Sequence, residues 1–251
     1  MDLKLTNKVA LVTGGARGLG KTICQLFAAE GAKVALCDLE KNEALAEELR
    51  RVHGVQALAV KADVTSEADV AAMFDQVEKT LGQVHALVNN AAIAPSGGPM
   101  TSITAQEWNK IFQVNAGGVF LCSRELVRRL LAARRPGRIV NISSQAAFRG
   151  SESGKLAYDA SKGAVVSFTI ALAREMAPHG INVNCVAPGL MRTEMLAALI
   201  DANPEKFTRR VPLGRIGKTE EIGSVVVFLC SEQAGYMTGA TVDVSGGLAM
   251  H

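Results

Sequence analysis

A tyrosine and a lysine in the stretch KLAYDASKGAV (155–165) have the types and spacing for acid–base chemistry at an oxygen atom. Tyr158 is one of two tyrosines in the chain, and Lys162 follows it by four residues. In a helix, residues four apart share one face, so the ammonium group would lie near the phenol and favour the phenolate. A free phenol has a pKa of about 10 and is a poor acid–base group at neutral pH. We predict that the nearby ammonium group of Lys162 lowers the pKa of Tyr158. A buried tyrosine beside a snorkelling lysine is the competing interpretation of this spacing taken alone.

Two serines are expected near this pair. Ser143 and Ser144 follow the apolar segment that begins at residue 138 and precede the tyrosine segment. A serine hydroxyl could hold a substrate oxygen while the phenol exchanges a proton with it and a hydride moves at the adjoining carbon. The sequence therefore predicts a small-molecule substrate, either a secondary alcohol that is oxidised or a ketone that is reduced.

The elements that must position these residues are visible as short β-branched segments alternating with segments of helical periodicity. The predicted strands are VALVT (9–13), KVALCD (33–38), QALAVKA (56–62), VHALVNN (84–90), RIVNIS (138–143), INVNCVA (181–187) and TVDV (241–244). Helix starts are predicted at Ser66, Thr104 and Thr219. This alternation predicts a doubly wound, Rossmann-like α/β domain with a parallel sheet of about seven strands and helices on both faces. We expect one domain over 1–251, with a cofactor half over about 1–150 and a catalytic and substrate half over about 138–251.

The first strand runs into TGGARGLG (13–20), a glycine-rich turn ahead of a helix. Gly14, Gly18 and Gly20 permit a tight turn and a close approach of backbone N–H groups to a pyrophosphate, which the positive end of the helix would also attract. The spacing is G-x-x-x-G-x-G rather than the best-known G-x-G-x-x-G, and a plain strand–helix turn is the alternative. The position between a strand and a helix favours a nucleotide, with Leu19 among its contacts.

The second strand ends at Asp38, eighteen residues beyond Gly20. A carboxylate there can accept hydrogen bonds from the adenosine ribose hydroxyls, which selects NAD, and Leu39 beside it is a further expected contact. A 2′-phosphate at about 4 Å would be repelled by about 4 kcal/mol at an effective dielectric constant of about 20. Arg17 in the glycine loop could instead pair with such a phosphate. We expect the carboxylate of Asp38 to select NAD over NADP. Its alternative role is to cap the helix that follows the second strand.

Two further strand ends carry candidate cofactor contacts. The third predicted strand is followed by Asp63 and Val64, and the fourth ends in NNAA (89–92). Asp63 could accept a hydrogen bond from an adenine amino group, with Val64 against the ring. The small residues of NNAA leave room for a flat ligand. Capped turns are the alternative at both places.

Composition excludes several other classes of function. A net charge of +3 and the absence of basic clusters with interleaved aromatic residues argue against nucleic-acid binding. Five scattered cysteines without a C-x-x-C pair, and four histidines without ligand spacing, argue against disulfides and a metal site. No apolar segment reaches membrane-spanning length, so we expect a cytoplasmic protein with no membrane partner.

The motifs together resemble the short-chain dehydrogenase/reductase family. They are, in chain order, TGxxxGxG, an acidic end of the second strand, Asp-Val, NNAA, Asn115, ISS, YxASK and PGxxxT, and they span about Val9 to Gly247. The resemblance implies a tyrosine as general acid/base, a lysine that lowers its pKa and holds the nicotinamide ribose, a serine that positions the substrate oxygen, and an asparagine that supports a proton-relay water. These roles fall on Tyr158, Lys162, Ser144 and Asn115.

The same resemblance implies a set of cofactor contacts along the strand ends. The adenosine ribose falls on Asp38, and the adenine on Asp63 and Val64. The other implied contacts are the backbone at Asn89 and Ala91 in the strand-four motif, and Pro188, Gly189 and Thr193 at the nicotinamide end.

Three departures from the family pattern stand out. Ala92 replaces the glycine of the usual NNAG. Ser144 lies fourteen residues before Tyr158 where thirteen is usual, which indicates one extra residue in GSESGKLA (150–157), with Ser143 as the alternative catalytic serine. In DVSGG (243–247) a serine precedes the final glycines, and its role is not apparent from the sequence.

The substrate segment is expected between Gly189 and about Pro212, as a mobile apolar lid. Met191 and Met195 from this lid, with Gln145, would line a mostly apolar substrate pocket.

The helix that holds the tyrosine is apolar around most of its circumference, which predicts a homo-oligomer, and the family resemblance implies a homotetramer. A monomer mass in light scattering at micromolar protein would contradict this prediction.

Three functions remain open from the sequence. The first is an NAD-dependent oxidoreductase of a secondary alcohol or ketone. The second is an NADPH-dependent 3-ketoacyl-thioester reductase, favoured by Arg17 and disfavoured by Asp38. The third is a non-catalytic dinucleotide sensor, for which retention of Asn115, Ser144, Tyr158 and Lys162 together would be unexpected.

Overall fold

The computed structural model describes residues 1–95, 97–151, 154–192 and 201–250. Seven parallel strands form one sheet in the order β3-β2-β1-β4-β5-β6-β7. They are β1 (Val9–Thr13), β2 (Lys33–Asp38), β3 (Ala57–Lys61), β4 (Val84–Asn89), β5 (Gly137–Ile142), β6 (Ile181–Pro188) and β7 (Thr241–Val244). The predicted fold class is confirmed. The strand order reverses between β1 and β4, which is where a doubly wound sheet opens a ligand crevice.

Helices cover both faces of this sheet. In the described residues they are α1 (Gly18–Ala29), α2 (Glu43–His53), α3 (Glu67–Leu81), α4 (Ala105–Phe112), α5 (Gly118–Ala133), α6 (Ala146–Arg149), α7 (Leu156–Met176), α8 (Pro204–Thr208) and α9 (Thr219–Leu229). A π-helical turn at Gln113–Gly117 joins α4 to α5, and short 3₁₀ turns lie at Met100–Ser102, Ala177–His179 and Glu232–Ala234.

The predicted helix starts are confirmed by their caps. The hydroxyl of Ser66 accepts a hydrogen bond from the N–H of Asp69 at 3.2 Å, and that of Thr104 accepts one from Glu107 at 3.1 Å. Helix α9 begins at Thr219, where a carboxylate two residues on accepts from the backbone N–H of Lys218 at 2.8 Å. Each cap satisfies a backbone donor that the first helical turn leaves without a partner.

Two apolar layers bury the sheet, because alternate residues of a strand point to opposite faces. Ala10 and Val12 of β1 face a layer that contains Ile23 and Phe27 of α1 and residues of α2 and α9. Leu11 faces the other layer, built from α3, α5 and α7. Helix α7 lies against this second layer and exposes Leu156 and Ile170 on its outer side.

All five cysteines are buried and free. Within the described residues there is no group of three or more His, Cys, Asp or Glu side chains that could hold a metal ion. Across the same ranges, no helix is both long enough and apolar enough to cross a membrane.

A partly buried histidine in β4 predicts a loss of stability in mild acid. Burial, with Lys8, Arg138 and Arg135 nearby, lowers the pKa of His85 from 6.5 to about 4. Between these values the unfolded chain binds a proton that the folded chain excludes, so stability falls as the pH drops through this window. We expect His85 to account for a loss of about 2 kcal/mol in unfolding free energy between pH 7 and pH 5. Urea unfolding at the two pH values measures this loss.

The variant His85→Asn should lose about 2 kcal/mol less than wild type over the same pH step. His179→Gln, at an exposed position, is the matched control and should behave as wild type. Equal pH dependence in His85→Asn and wild type would show that other groups cause the acid sensitivity.

Candidate functional site

A crevice of about 1460 Å³ lies at the carboxyl ends of the strands around the reversal point. Ten predicted cofactor residues line it: Gly14, Arg17, Gly18, Leu19, Gly20, Asp38, Leu39, Asp63, Val64 and Ala91. Helix α4 and the turn after it add polar side chains that the sequence prediction missed, namely Gln106, Asn109, Lys110 and Gln113. Their i, i+3, i+4, i+7 spacing places them on one helix face, and this spacing could have identified them from the sequence.

The glycine turn has a backbone that only glycine fits. Gly14 and Gly18 have φ of +63° and +52°, and a Cβ on Gly20 would lie 2.0 Å from the carbonyl oxygen of Gly14. Helix α1 starts at Gly18, so its free N–H groups open into the crevice. The sequence prediction missed Asn90, whose Nδ2 donates to the carbonyl oxygens of Thr13 and Gly14 at 3.0 and 2.9 Å and holds this turn. The turn and the helix end suit a pyrophosphate.

The carboxylate of Asp38 is held against the glycine turn. Its Oδ2 accepts from the N–H of Ala16 at 3.2 Å and its Oδ1 from that of Leu39 at 2.8 Å. The alternative role as a helix cap is wrong, because Asn42 caps α2. The side chain of Leu39 is 59% exposed at the crevice and has no donor for a phosphate. This end of the crevice therefore suits ribose hydroxyls better than a 2′-phosphate.

Asp63 and Asn89 are largely engaged by the protein itself. Oδ1 of Asp63 accepts from both the N–H and the hydroxyl of Thr65 at 2.8 Å, so the capped turn is present. The Nδ2 of Asn89 donates to Ser123 and Asn141 at 2.9 and 2.8 Å inside the core, and Asn89 is not among the residues that line the crevice. Val64 is nearly buried against α5, close to Gly118.

The predicted tyrosine, lysine and serine come together next to the end of β5. The side chain of Ser144 lies close enough to the phenol of Tyr158 to lower its pKa. Lys162 is buried, its Nζ donates to the carbonyl oxygen of Ile142 at 2.7 Å, and it lies 5.7 Å from the centre of the Tyr158 ring. The hydroxyl of Ser143 donates instead to the carbonyl oxygen of Lys162 at 2.8 Å. The two serines therefore separate by role, with Ser144 on the tyrosine and Ser143 supporting the helix.

The tyrosine pKa moves in the direction opposite to the predicted one. Burial raises the pKa of Tyr158, and the neighbouring Ser144 side chain opposes that rise. Burial also lowers the pKa of Lys162 to about 8. Removal from water disfavours both charged forms, and Nζ is directed to a backbone carbonyl rather than to the phenol oxygen. The phenol is thus held in its protonated form.

Asn115 lies in the π-helical turn and connects two parts of the site. Its Oδ1 accepts from the N–H of Ile93 at 2.8 Å, and its Nδ2 donates to the carbonyl oxygen of Ile93 at 2.9 Å and to Ser161 at 3.0 Å. Ser161, which the sequence prediction missed, donates to the carbonyl oxygen of Tyr158 at 2.7 Å. A π-helical turn is common at functional sites because it re-aims side chains, and here it ties the segment after β4 to the tyrosine helix.

The end of β6 is joined to the serine segment. The N–H of Gln145 donates to the carbonyl oxygen of Pro188 at 3.0 Å, and the N–H of Gly189 donates to Val244 at 3.0 Å. Gln145 is nearly buried, whereas Met191 packs against the core layer of α1 and α9. The predicted contacts Thr193 and Met195 lie outside the described residues.

Comparison with known proteins identifies the family. The model of a family described as enoyl-(acyl carrier protein) reductase matches residues 14–249. The chain is 38% identical over 250 residues to 3-oxoacyl-[acyl-carrier-protein] reductase FabG of Aquifex aeolicus (strain VF5), covering 99% of this chain and 100% of that protein. The protein of the same name from Escherichia coli (strain K12) is 37% identical over 248 residues, with the same coverage. A solved short-chain type dehydrogenase/reductase from Mycobacterium marinum matches with a TM-score of 0.93 at 34% identity, covering 100% of this chain and 98% of that one.

The chain belongs to the short-chain dehydrogenase/reductase family. It is therefore an NAD(P)-dependent oxidoreductase that acts on CH–OH groups.

The structure shows how this short-chain dehydrogenase/reductase accommodates two of its departures from the family pattern. Ala92 is exposed at the crevice, so its methyl group has room. Ser245 of DVSGG secures the turn after β7, since its hydroxyl bonds to Asp243 and accepts from the N–H of Ala249 at 3.1 Å. A Cβ on Gly189 would lie 2.5 Å from the Cα of Ser245, so this turn supports the end of β6.

Proposed function

We propose that this enzyme transfers a hydride between NAD(H) and C3 of a 3-oxoacyl or 3-hydroxyacyl thioester. The observation that carries the chemistry is the placement of the Tyr158 phenol beside Ser144 and 5.7 Å, measured from its ring centre, from the Nζ of the buried Lys162. The thioester class is supported by the names of the relatives at 37 and 38% identity. In its broader form, the same proposal takes any secondary alcohol or ketone as the substrate, as predicted from the sequence.

Each polar side chain of the site has a separate task in this proposal. A bound nicotinamide supplies or accepts the hydride. The hydroxyl of Ser144 binds the substrate oxygen, and the phenol of Tyr158 gives that oxygen a proton in reduction and removes it in oxidation. The raised pKa of Tyr158 keeps the phenol protonated at neutral pH, which is the form that reduction requires. Lys162 would hold the nicotinamide ribose and stabilise the phenolate as it forms.

NAD(H) is proposed over NADP(H) because of the residues at the end of β2. The Asp38 carboxylate is held at the crevice by two backbone N–H groups, and the neighbouring Leu39 offers no donor to a phosphate. Arg17 is exposed in the glycine turn and lines the same crevice, and its guanidinium favours a 2′-phosphate. A reductase of the same thioesters that uses NADPH is therefore the second candidate.

The test is absorbance at the reduced-nicotinamide band with acetoacetyl-coenzyme A and a panel of simple ketones, each with NADH and with NADPH. Turnover of the thioester with NADH is expected. Turnover of simple ketones alone would reject the thioester class, and turnover with NADPH alone would reject the cofactor assignment. Retained NADH binding without turnover of any compound would favour a dinucleotide sensor.

A further inference from the structure

Two loops meet beside the first turn of α7, through a contact between glycines. The N–H of Gly98, in the segment after β4, donates to the carbonyl oxygen of Gly154 at 3.2 Å. Gly154 has φ of +67°, and a Cβ there would lie 2.1 Å from the carbonyl oxygen of Gly98. The backbones touch so closely that no side chain fits between them. We name this contact, between Gly98 and Gly154, the loop latch.

The Gly154 side of the loop latch is anchored to the helix that carries the tyrosine. The N–H and the hydroxyl of Ser151 both donate to Oδ2 of Asp159, at 2.7 and 2.6 Å. Asp159 follows Tyr158 directly in α7. Ser151 belongs to the loop in which the family pattern indicated an extra residue, and these two hydrogen bonds tie its described start to the helix that carries Tyr158.

The Gly98 side is anchored as well. The backbone of Ile93 is bound at both its N–H and its carbonyl oxygen by Asn115, and the hydroxyl of Ser102 donates to the carbonyl oxygen of Pro99 at 2.8 Å. Between the loops remains a cavity of about 20 Å³, lined among others by Gly98, Gly154 and Ala157. Such a space holds about one water molecule, so no substrate chain passes between the loops.

We propose that the loop latch closes one side of the substrate site and limits the acyl arm of the substrate to a short chain. The inference rests on the proposed thioester substrate. On one side of the reacting carbonyl, such a substrate has an acyl arm. On the other, it has a thioester arm that continues into a large carrier group. The carrier group requires the open side of the site, so the acyl arm takes the side that the latch closes. Gly98 and Gly154 are therefore specificity-determining residues.

The test compares kcat/KM for the coenzyme A thioesters of 3-oxobutanoate and 3-oxodecanoate. The wild type is expected to favour the short substrate by at least about tenfold, since a pocket without space rejects added methylene groups by that order. In Gly154→Ala the new methyl group collides with Gly98 and separates the loops, and the preference is expected to fall by about tenfold. A wild type that uses both substrates equally well would overturn the proposal.

Gly150→Ala is the matched control for backbone strain. Gly150 has φ of +69°, close to that of Gly154, but a Cβ there would meet no atom within 4 Å. This variant should keep the wild-type chain-length preference, and loss of the preference in both variants would show that strain alone is the cause. Ser151→Ala removes one anchor without a collision and should lower the preference by a smaller factor.

Amide hydrogen exchange at Gly98 tests the loop latch independently of the substrate. Exchange should be slow in wild type and in Gly150→Ala and at least about tenfold faster in Gly154→Ala, because the donor then loses its partner. Fast exchange at Gly98 in wild type would overturn the latch. If no thioester is turned over, methyl ketones of matched chain lengths replace them, and a retained length preference would reject the thioester proposal alone.

Discussion

Replacing Tyr158 by phenylalanine is expected to lower kcat by at least about 100-fold, the lower range for loss of a positioned acid/base. Phenylalanine keeps the ring and removes only the hydroxyl, which is the group beside Ser144. The packing around the buried Lys162 stays intact, so unfolding free energy and NADH affinity should change little. Steady-state absorbance assays and NADH fluorescence titration measure the two effects separately.

The chain offers a matched control for this substitution. Its other tyrosine, Tyr236, is fully exposed, and Tyr236→Phe should leave kcat unchanged. A Tyr158→Phe enzyme that retains more than about a tenth of wild-type kcat would contradict the assignment of the general acid. A parallel loss of NADH affinity would instead indicate a disturbed crevice.

Asp38→Asn is expected to shift the preference between NADH and NADPH toward NADPH by at least about 100-fold. Like unit charges at about 4 Å and an effective dielectric constant of about 20 repel by about 4 kcal/mol, or about a thousandfold in affinity. Asp38 is only half-buried, so water screens part of this repulsion and the smaller factor is the expected one. Dissociation constants of both cofactors for wild type and variant measure the shift.

Glu40→Gln provides the control for a general change of charge. Glu40 is an exposed carboxylate two residues from Asp38, and its replacement should leave the cofactor preference within about threefold of wild type. Arg17→Gln tests the opposing interpretation, in which Arg17 selects NADPH. If wild type prefers NADPH and loses that preference in Arg17→Gln, then the guanidinium, and not the carboxylate, selects the cofactor.

The order and type of the regular elements were predictable because their signals are local. Each strand of the sheet was recognised as a short β-branched segment, with ends within one residue of those in the structure. Helix starts at Ser66 and Thr104 followed from a hydroxyl three residues before an acidic residue. The handedness of crossovers then leaves few topologies for such a chain.

The composition of the candidate site was also largely predictable. In a parallel doubly wound sheet, strand ends gather at one edge, so residues that follow strands meet there whatever their distance in sequence. Thus the glycine turn, Asp38 and Val64 line one crevice. The pair Tyr158 and Lys162 shares a helix face because of its four-residue spacing.

Local sequence patterns did not show which of two neighbouring side chains faces the site. Ser143 and Ser144 have the same side chain, as do Asn89 and Asn90, and only the path of the backbone beyond the strand directs one of each pair into the core. A one-residue step turns a side chain to the opposite face. The sequence prediction named the backbone of Asn89 as a cofactor contact and did not name the side chain of Asn90.

Burial and long-range contact were decided by the tertiary structure alone. The spacing of Tyr158 and Lys162 predicted a lowered tyrosine pKa, but enclosure by the sheet and neighbouring segments raises it, because desolvation depends on residues distant in sequence. The contact between Gly98 and Gly154 likewise joins loops fifty-six residues apart. The sequence by itself determined the fold and most of the residues that line the crevice, because these follow from local patterns and from the gathering of strand ends. The tertiary structure decided the direction in which the pKa of Tyr158 moves and the contact between Gly98 and Gly154.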